Sequence, residues 1–583
     1  MTKILTLLCL VLFSQCVLWA EDDELLKNGI FTSRDLVAET KEEMLEHRFL
    51  KRVYPLIFKE GDAEPYVPEL DQDFALWSGK TISKINVLQK DVFEIKPQRE
   101  GLPLYNDVLR FGNMIHPKTR NNILKQNLFF VEGDTLNPAL LIANLHYLYD
   151  SELYSELEFE ITDPKQPRVG VDIKLREKFF LKFAPKLIDH NKLQLTLVDR
   201  NFLGLTHSIN YSLYVDPQKR DILGWESFYT HPNILRKYIK GDFHRLSLPD
   251  DKRLDIAFNR EFLYPLMNNF GGIDYRASET KISFWNSRLK YHQYGAWFAH
   301  TYSVLDYPEY IYSALSVRYR KHQIRPEELA WQNSFFALGT IGYASPEYRY
   351  VSGLSSFLDN NYLPKGHLLQ VMAGHDFAEW QNRQYMGVQW EWSSYHNAGH
   401  YLYNKISTET YLSNGKAGQT LFAMEPVYIT PMRLIGRFGN RGMIRARIIG
   451  TSKSYPTQRI NLAEDQFYRD GEDLSGTDLA SLSIEEDINT PFQIIGFQIS
   501  AFTFMDMAAV HHDDKLHAPD RLFAQGFGIR LRNPSLIWDF IELRLTMEFL
   551  NANKPSFGFA LSLKPTKALD GFSGRRPQTY FDN

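Results

Sequence analysis

The sequence predicts an all-β transmembrane barrel of about 16 antiparallel strands, preceded by a small α+β domain of order β-α-α-β-β. The first observation behind this is a strict two-residue alternation near the C-terminus. In residues 541–549, Ile541, Leu543, Leu545, Met547 and Phe549 alternate with Glu542, Arg544, Thr546 and Glu548. Residues 526–532 set Phe527, Ile529 and Leu531 against Gly526, Gly528, Arg530 and Arg532. Residues 556–563 set Phe557, Phe559, Leu561 and Leu563 against Ser556, Gly558, Ala560 and Ser562. Successive strand side chains point to opposite faces, so each segment has one oily and one polar face. A soluble sandwich alternates too, but repeated Glu and Arg on the polar face fit a wet, charged lumen with lipid outside. The second observation is an aromatic content of 14%, with 32 Tyr and 40 Phe, enough to supply girdles at two membrane interfaces. The third is hydropathy. Past the first twenty residues no apolar run reaches the roughly 20 residues of a spanning helix, and mean hydropathy is -0.34, so insertion must be by strands.

Residues 1–20 begin with Lys3, continue through an apolar core at 4–13 and end at Ala20, ahead of Glu21, Asp22, Asp23 and Glu24. They read as a secretory signal peptide cut after Ala20, although Leu18 is not the small residue usual before such a cut. Cys16 follows Gln15, which is too large for a lipoprotein site. Both cysteines, Cys9 and Cys16, fall in this leader, so the exported chain has neither disulfides nor thiolate chemistry. The net charge of -4 offers no basic footprint for nucleic acid.

Residues 21–79 form a charged extension with a helical run near 36–58. The α+β domain spans 80–178. Ile82, Ile85, Val87 and Leu88 mark a first strand, and a Pro/Gly-containing insert occupies 96–117. Ile123, Leu124 and Leu128 predict a helix over 119–129, broken by Glu132, Gly133 and Asp134. Asn137 caps a second helix whose buried stripe is Leu140, Leu141, Leu145 and Leu148. Two strands follow at 157–161 and 169–175, the latter alternating Val169, Val171, Ile173 and Leu175.

Three stretches of this domain carry a resemblance: TRNNILKQNLFFVEGD (119–134), LHYLYDSELYSELEFEI (145–161) and VGVDIKLREK (169–178). Together they resemble a POTRA domain, the periplasmic polypeptide-transport-associated module of the Omp85 superfamily. That resemblance implies a periplasmic docking surface that receives a client strand at a sheet edge.

The barrel is expected over 179–565. About 385 residues, at about 10 per tilted strand plus turns and outer loops, accommodate on the order of 16 strands. Alternation recurs along it. Ile209, Tyr211, Leu213 and Val215 share a face, as do Leu254, Ile256 and Phe258. Leu315, Val317 and Tyr319 interleave with Ser316, Arg318 and Arg320, and Val388, Trp390 and Trp392 with Gln389, Glu391 and Ser393. Ile444, Ala446 and Ile448 interleave with Arg445 and Arg447. Arginines on the polar faces, including Arg318, Arg445, Arg447, Arg530 and Arg532, are expected to pair with acids or face water.

The barrel's ends extend the resemblance. LVDRNFLG (197–204), with Leu197, Asp199, Asn201, Phe202 and Gly204, resembles the superfamily's first-strand signature. ASLSIEEDINTPF (480–492) and FTFMDMAAV (502–510) resemble strands before the barrel end, with Asp506 in the family's acidic position. The family's lumen loop carries an Arg-Gly-aromatic motif. Its counterpart here falls in 454–478 as Arg469, Asp470 and Gly471, where Asp470 displaces the glycine and no aromatic follows. The resemblance implies that Arg469 contacts Asp506. A tail at 566–583 is a second departure, because many barrels of the superfamily end on the terminal strand.

No Walker loop, nucleotide fingerprint or nucleophile elbow occurs; His511, His512, Asp513 and Asp514 would point oppositely on a strand, a poor chelate, and read rather as an outer loop between two strands. No cofactor, metal or enzymatic activity is expected. By resemblance, the function is polypeptide insertion or translocation in a bacterial outer membrane, as barrel-protein assembly or as dedicated secretion. One POTRA favours a specialised set of clients. The expected partners are outer-membrane lipid, unfolded polypeptide clients in the periplasm and accessory lipoproteins, with no nucleic acid. The first strand (near 193–204) and the last (Phe557, Phe559, Leu561) would form a seam that opens. The alternative is a passive outer-membrane pore with a vestigial POTRA domain.

Overall fold

Alternating strands and a short helical domain divide the chain as the patterns require. The computed structural model describes residues from Phe74 onward, apart from connections of which 96–102, 351–361, 453–459, 462–474, 512–518 and 563–571 are the longest, and 581–583. The expected signal peptide and nearly all of the extension lie outside the described residues, as do His512, Asp513 and Asp514.

The N-terminal domain runs β1 (Thr81–Lys90), α1 (Pro103–Ile115), α2 (Asn121–Gln126), α3 (Pro138–Asp150), β2 (Tyr154–Thr162) and β3 (Arg168–Glu177). Its sheet order is β1-β3-β2, with β3 central, parallel to β1 and antiparallel to β2. Ile82, Ile85, Leu124, Leu141, Leu145, Leu148, Val169, Val171 and Ile173 fill the core between helices and sheet. Asn137 caps α3 as the sequence requires, its side-chain oxygen accepting from the Ala139 N–H at 3.0 Å.

Helix α1 is a correction. It occupies the stretch read as an insert, because Pro103 suits a first helical turn while the surrounding Pro and Gly hide the spacing of Val108, Phe111 and Ile115. Helix α2 is shorter than the pattern suggests. Residues 132–136 lie along β1, with the Ile82 N–H donating to Asp134 and the Ile85 N–H to the Glu132 carboxylate. β2 is the other outer strand of the sheet.

The second unit is a closed barrel. Its first strands are β4 (Leu181–Asp189), β5 (Lys192–Phe202), β6 (His207–Asp216), β7 (Asp221–Ile234), β8 (Ile239–Ser247), β9 (Asp251–Arg260) and β10 (Asn269–Ile282). Next come β11 (Ser287–Tyr302), β12 (Tyr310–Ile324), β13 (Ser334–Tyr350), β14 (Tyr362–Ala378), β15 (Arg383–Tyr395), β16 (Tyr401–Ser413) and β17 (Lys416–Ile429). The three-residue β18 (Arg433–Ile435) precedes β19 (Phe438–Ser452), and β20 (Ile460–Asn461) pairs with β21 (Ser475–Gly476) outside the ring. The wall ends with β22 (Asp478–Ile494), β23 (Phe497–His511), β24 (Asp520–Arg532), β25 (Phe540–Leu550) and β26 (Ser556–Ser562).

Among the described residues the ring therefore holds twenty long strands and β18, more than the sixteen expected. Tight turns explain the difference. Ser413 pairs with Lys416 across Asn414 and Gly415, and Ile494 with Phe497, so little chain is spent on connections. The alternation holds throughout. On β25, Glu542, Arg544, Thr546 and Glu548 are buried inward while Leu545 faces out. On β15, Gln389 and Glu391 are buried inward, whereas Val388 and Trp390 are exposed outward. Closure pairs the backbone polar groups within the wall, and the apolar face is turned outward. This is the membrane-spanning barrel geometry.

Candidate functional site

The first feature of interest is where the barrel closes. Antiparallel registers link the long strands from the β4–β5 pair round to the seven-residue β25–β26 pair. β26 is hydrogen-bonded to β4, the ring's first strand, and so completes the ring between strands that are not consecutive in the chain. The lipid-facing residues of β26 are bare: Phe557 is 79% exposed, Phe559 68% and Leu561 58%, against 45% for Leu545 on the adjoining strand. The last strand thus takes part in closing the ring.

The first-strand motif does not. LVDRNFLG lies on β5 and the turn after it, one strand in from the seam, because β4 precedes it. Leu197 faces outward and Asp199 pairs across to Ile209 on β6, and its carboxylate accepts from the Asn201 N–H at 2.9 Å. Asn201, Phe202 and Gly204 belong to the junction with the N-terminal domain. Asn201 is fully buried; its amide donates to Thr119 Oγ1 at 2.8 Å and to the Pro117 carbonyl at 3.1 Å. Its carbonyl oxygen accepts from the Thr206 N–H. Gly204, at φ +70°, accepts from the Arg120 N–H, and its Cα lies so close to Lys118 that an added Cβ would stand 2.5 Å from the Lys118 carbonyl oxygen.

Two further turns at the same end hold the domain. At the end of β7, Asn233 donates to Gln126 and Asn127, and in the turn after it Tyr238 donates to the Leu128 carbonyl while its ring packs edge-on to Phe129 and Tyr147. Before β25, the Ser535 carbonyl accepts from the Phe179 N–H at 2.7 Å. Beside this contact His116 and Glu177 form a buried pair 2.8 Å apart, and the Glu177 carboxylate also takes the Thr119 N–H. The domain is therefore bolted to the barrel's rim next to β4.

The inner wall carries a buried charge network on β22, β24 and β25. Arg530 lies 2.7 Å from Glu485, 3.3 Å from Asp487 and 2.9 Å from Glu542. Arg544 lies 2.8 Å from Glu542 and 3.4 Å from Glu485. Both guanidinium groups sit over aromatic rings of β23, Arg530 at 3.8 Å from the Phe502 centroid and Arg544 at 4.3 Å from that of Phe504. Phe502 and Phe504 in turn lie across from Gly528 and Gly526, whose missing side chains make room for the rings. Asp506, the expected partner of a loop arginine, faces inward on β23 opposite Ser483. Arg469, Asp470 and Gly471 lie outside the described residues. Glu485, Asp487 and Glu542 of this wall are met by Arg530 and Arg544 from the wall itself.

The C-terminal tail occupies the lumen. It leaves β26 at the domain-side end and reaches the inner faces of β10, β12, β15, β16 and β19, on the wall across from the seam. Phe572 is wholly buried beside Tyr403. Arg575 donates to Glu391 at 3.1 Å, and Arg576 lies 2.5 Å from Asp274. Ser316 Oγ donates to the Pro577 carbonyl at 3.3 Å. The Tyr580 N–H donates to both oxygens of Glu409, and Arg447 donates to the Tyr580 hydroxyl.

No family model and no curated protein matches this chain. Among solved structures it is similar to BamA from Haemophilus ducreyi lacking POTRA domains 1–3, at 12% identity over 82% of this chain and 84% of that one, with a TM-score of 0.32. It is similar to CdiB from Escherichia coli at 11% identity over 92% of this chain and 99% of that one, with a TM-score of 0.36. It is also similar to OpdK from Pseudomonas aeruginosa, crystallised with vanillate, at 9% identity over 64% of this chain and 96% of that one, with a TM-score of 0.27.

Sequence reasoning missed the tail as a lumen element, along with Glu391, Glu409 and Asp274 as its partners. Their signal was present: acids at inward positions of alternating strands, and adjacent arginines near an aromatic beyond the last strand. Only the ring's topology shows that the two sets meet.

Proposed function

We propose that this protein inserts or translocates polypeptides at a bacterial outer membrane, with its N-terminal α+β domain in the periplasm. The observation that carries this reading is the closure of the ring. A barrel in lipid normally pairs every strand, because unsatisfied backbone groups there cost several kcal/mol each (roughly, per group). β26 and β4 are neighbours that no turn connects, and β26 has only seven residues, so their junction is the place where this wall would open at least cost. Exposed strand edges are ordinarily avoided because they template other strands, and templating is what such a machine requires.

The domain's position supports the same reading. It is fixed beside β4 by Asn201, Tyr238 and Ser535, and the outer strand of its sheet, β2, carries Glu156, Glu158 and Glu160. An unfolded client received by this domain would arrive beside the seam. Lipid, unfolded clients and accessory lipoproteins are the partners in this account, and no catalytic step or cofactor enters it.

Depletion followed by proteomics of the outer membrane and the medium tests the reading. Loss of many barrel proteins together means general assembly; loss of one or a few exported proteins means a dedicated translocator. If neither set changes, the transport reading is wrong and a passive pore takes its place.

A further inference from the structure

The tail's contacts describe a peptide-binding track on the inner wall. Residues 575–580 lie along it, gripped in two ways. Ser316 holds the Pro577 carbonyl, and Glu409 holds the Tyr580 N–H. These are main-chain contacts that almost any extended polypeptide could make. Two carboxylates, Glu391 on β15 and Asp274 on β10, take the two adjacent guanidinium groups of Arg575 and Arg576. Those contacts select for charge, since charge-assisted hydrogen bonds are about twice as strong as neutral ones. Arg447 adds a contact to the phenol of Tyr580.

The track does not depend on the tail for its own integrity. Glu391 is fully buried, yet it also accepts from the Tyr403 hydroxyl and Gln389, with the Lys405 ammonium 3.9 Å away. Its charge stays compensated when the arginine leaves. The occupant is therefore exchangeable, and its covalent link to β26 gives it the high local concentration of a tethered ligand.

We propose that Asp274, Ser316, Glu391 and Glu409 form a binding site for extended polypeptide segments carrying two adjacent arginines followed by an aromatic, and that the chain's own C-terminus is a tethered pseudo-ligand of this site. The identification of the competing ligand as a client in transit rests on the transport reading; the site itself does not. A client segment with this pattern displaces the tail, and clients without it meet an occupied lumen wall.

The test uses the chain lacking residues 571–583, purified in detergent and checked for heat-modifiable migration as a folded barrel. A fluorescently labelled synthetic peptide spanning 571–583 is the probe. Saturable binding to the truncated chain is expected, with binding to the full-length chain weakened about tenfold or more by the resident tail. A peptide carrying Arg575→Glu and Arg576→Glu should bind the truncated chain at least about tenfold more weakly, and Glu391→Gln in the barrel should weaken the native peptide similarly. Should the truncated chain fail to fold, the full-length chain carrying Arg575→Glu and Arg576→Glu replaces it, and should bind the native peptide more tightly than the unmodified chain does. Absence of saturable binding, or equal binding of native and charge-reversed peptides, overturns the proposal. Either result leaves the seam untouched, whereas an unchanged proteome after depletion removes transport without affecting peptide binding.

Discussion

Asn201, at the end of β5, donates its side-chain amide to Thr119 of the N-terminal domain at 2.8 Å, and both residues are buried. One side chain thus ties a barrel turn to the domain while its carbonyl oxygen orders the turn through Thr206. Asn201→Ala leaves the Pro117 carbonyl, the Thr119 hydroxyl and the Thr206 N–H without this partner, and should weaken docking by about 1–3 kcal/mol. Amide hydrogen exchange should show faster exchange at Thr119, Arg120 and Thr206, with the β24 and β25 ladder unchanged.

Gly204 and Gly415 separate two costs that a glycine can hide. Both have left-handed backbones, φ +70° and +72°, but only Gly204 would press an added Cβ onto another segment, 2.5 Å from the Lys118 carbonyl oxygen. Gly415→Ala should cost about 1 kcal/mol, the conformational term alone. Gly204→Ala should cost more, about 2–4 kcal/mol, because the contact adds to it. Urea unfolding of the two variants in lipid vesicles compares them directly; equal losses would mean that the domain yields freely at Lys118.

Arg530 neutralises three buried carboxylates, Glu485, Asp487 and Glu542. Removing it by Arg530→Met leaves that charge uncompensated and should destabilise the barrel by about 3–5 kcal/mol. Arg530→Lys keeps the charge but loses the planar fork and the stacking on Phe502, so an intermediate loss is expected. The ranking native, Lys, Met in denaturant midpoint checks this. A Met variant as stable as native would show that Arg544 and water suffice.

The sequence made the wall legible because its signal is local. Period-two alternation assigned the inward and outward faces of β12, β15, β24 and β25, and Asn137 announced its helix cap. Closure and contact across the lumen are not local. Nothing in residues 197–204 says that another strand precedes them, since β4 has Pro185 and a short apolar pattern. The role of Asn201 depends on Thr119, 82 positions earlier. Likewise Arg575 meets Glu391 across 184 positions, a pairing that no periodicity encodes. Helix α1 was hidden by its Pro/Gly flanks rather than by any weakness in its own spacing.

The seam makes the most direct prediction. Opening the wall at β25–β26 would break a ladder of seven paired residues, each net hydrogen bond worth about 0.5–1.5 kcal/mol in water and more in lipid. Opening between β26 and β4 parts no hairpin, because no turn connects these two strands, so function should depend on that junction. The chain's two cysteines both lie in its first twenty residues, which leaves the barrel free for engineered pairs. Thr546→Cys with Gly558→Cys, directly opposite on β25 and β26, is the control crosslink. A panel pairing Ala184→Cys on β4 with Gly558→Cys or Ala560→Cys on β26 tests the seam. Oxidised seam pairs should stop client export or insertion in cells, with recovery on reduction, while the control pair leaves it intact. Unimpaired transport through a barrel locked between β4 and β26 would move the route from the wall to the lumen, where displacement of Arg575 and Arg576 becomes the step that controls passage.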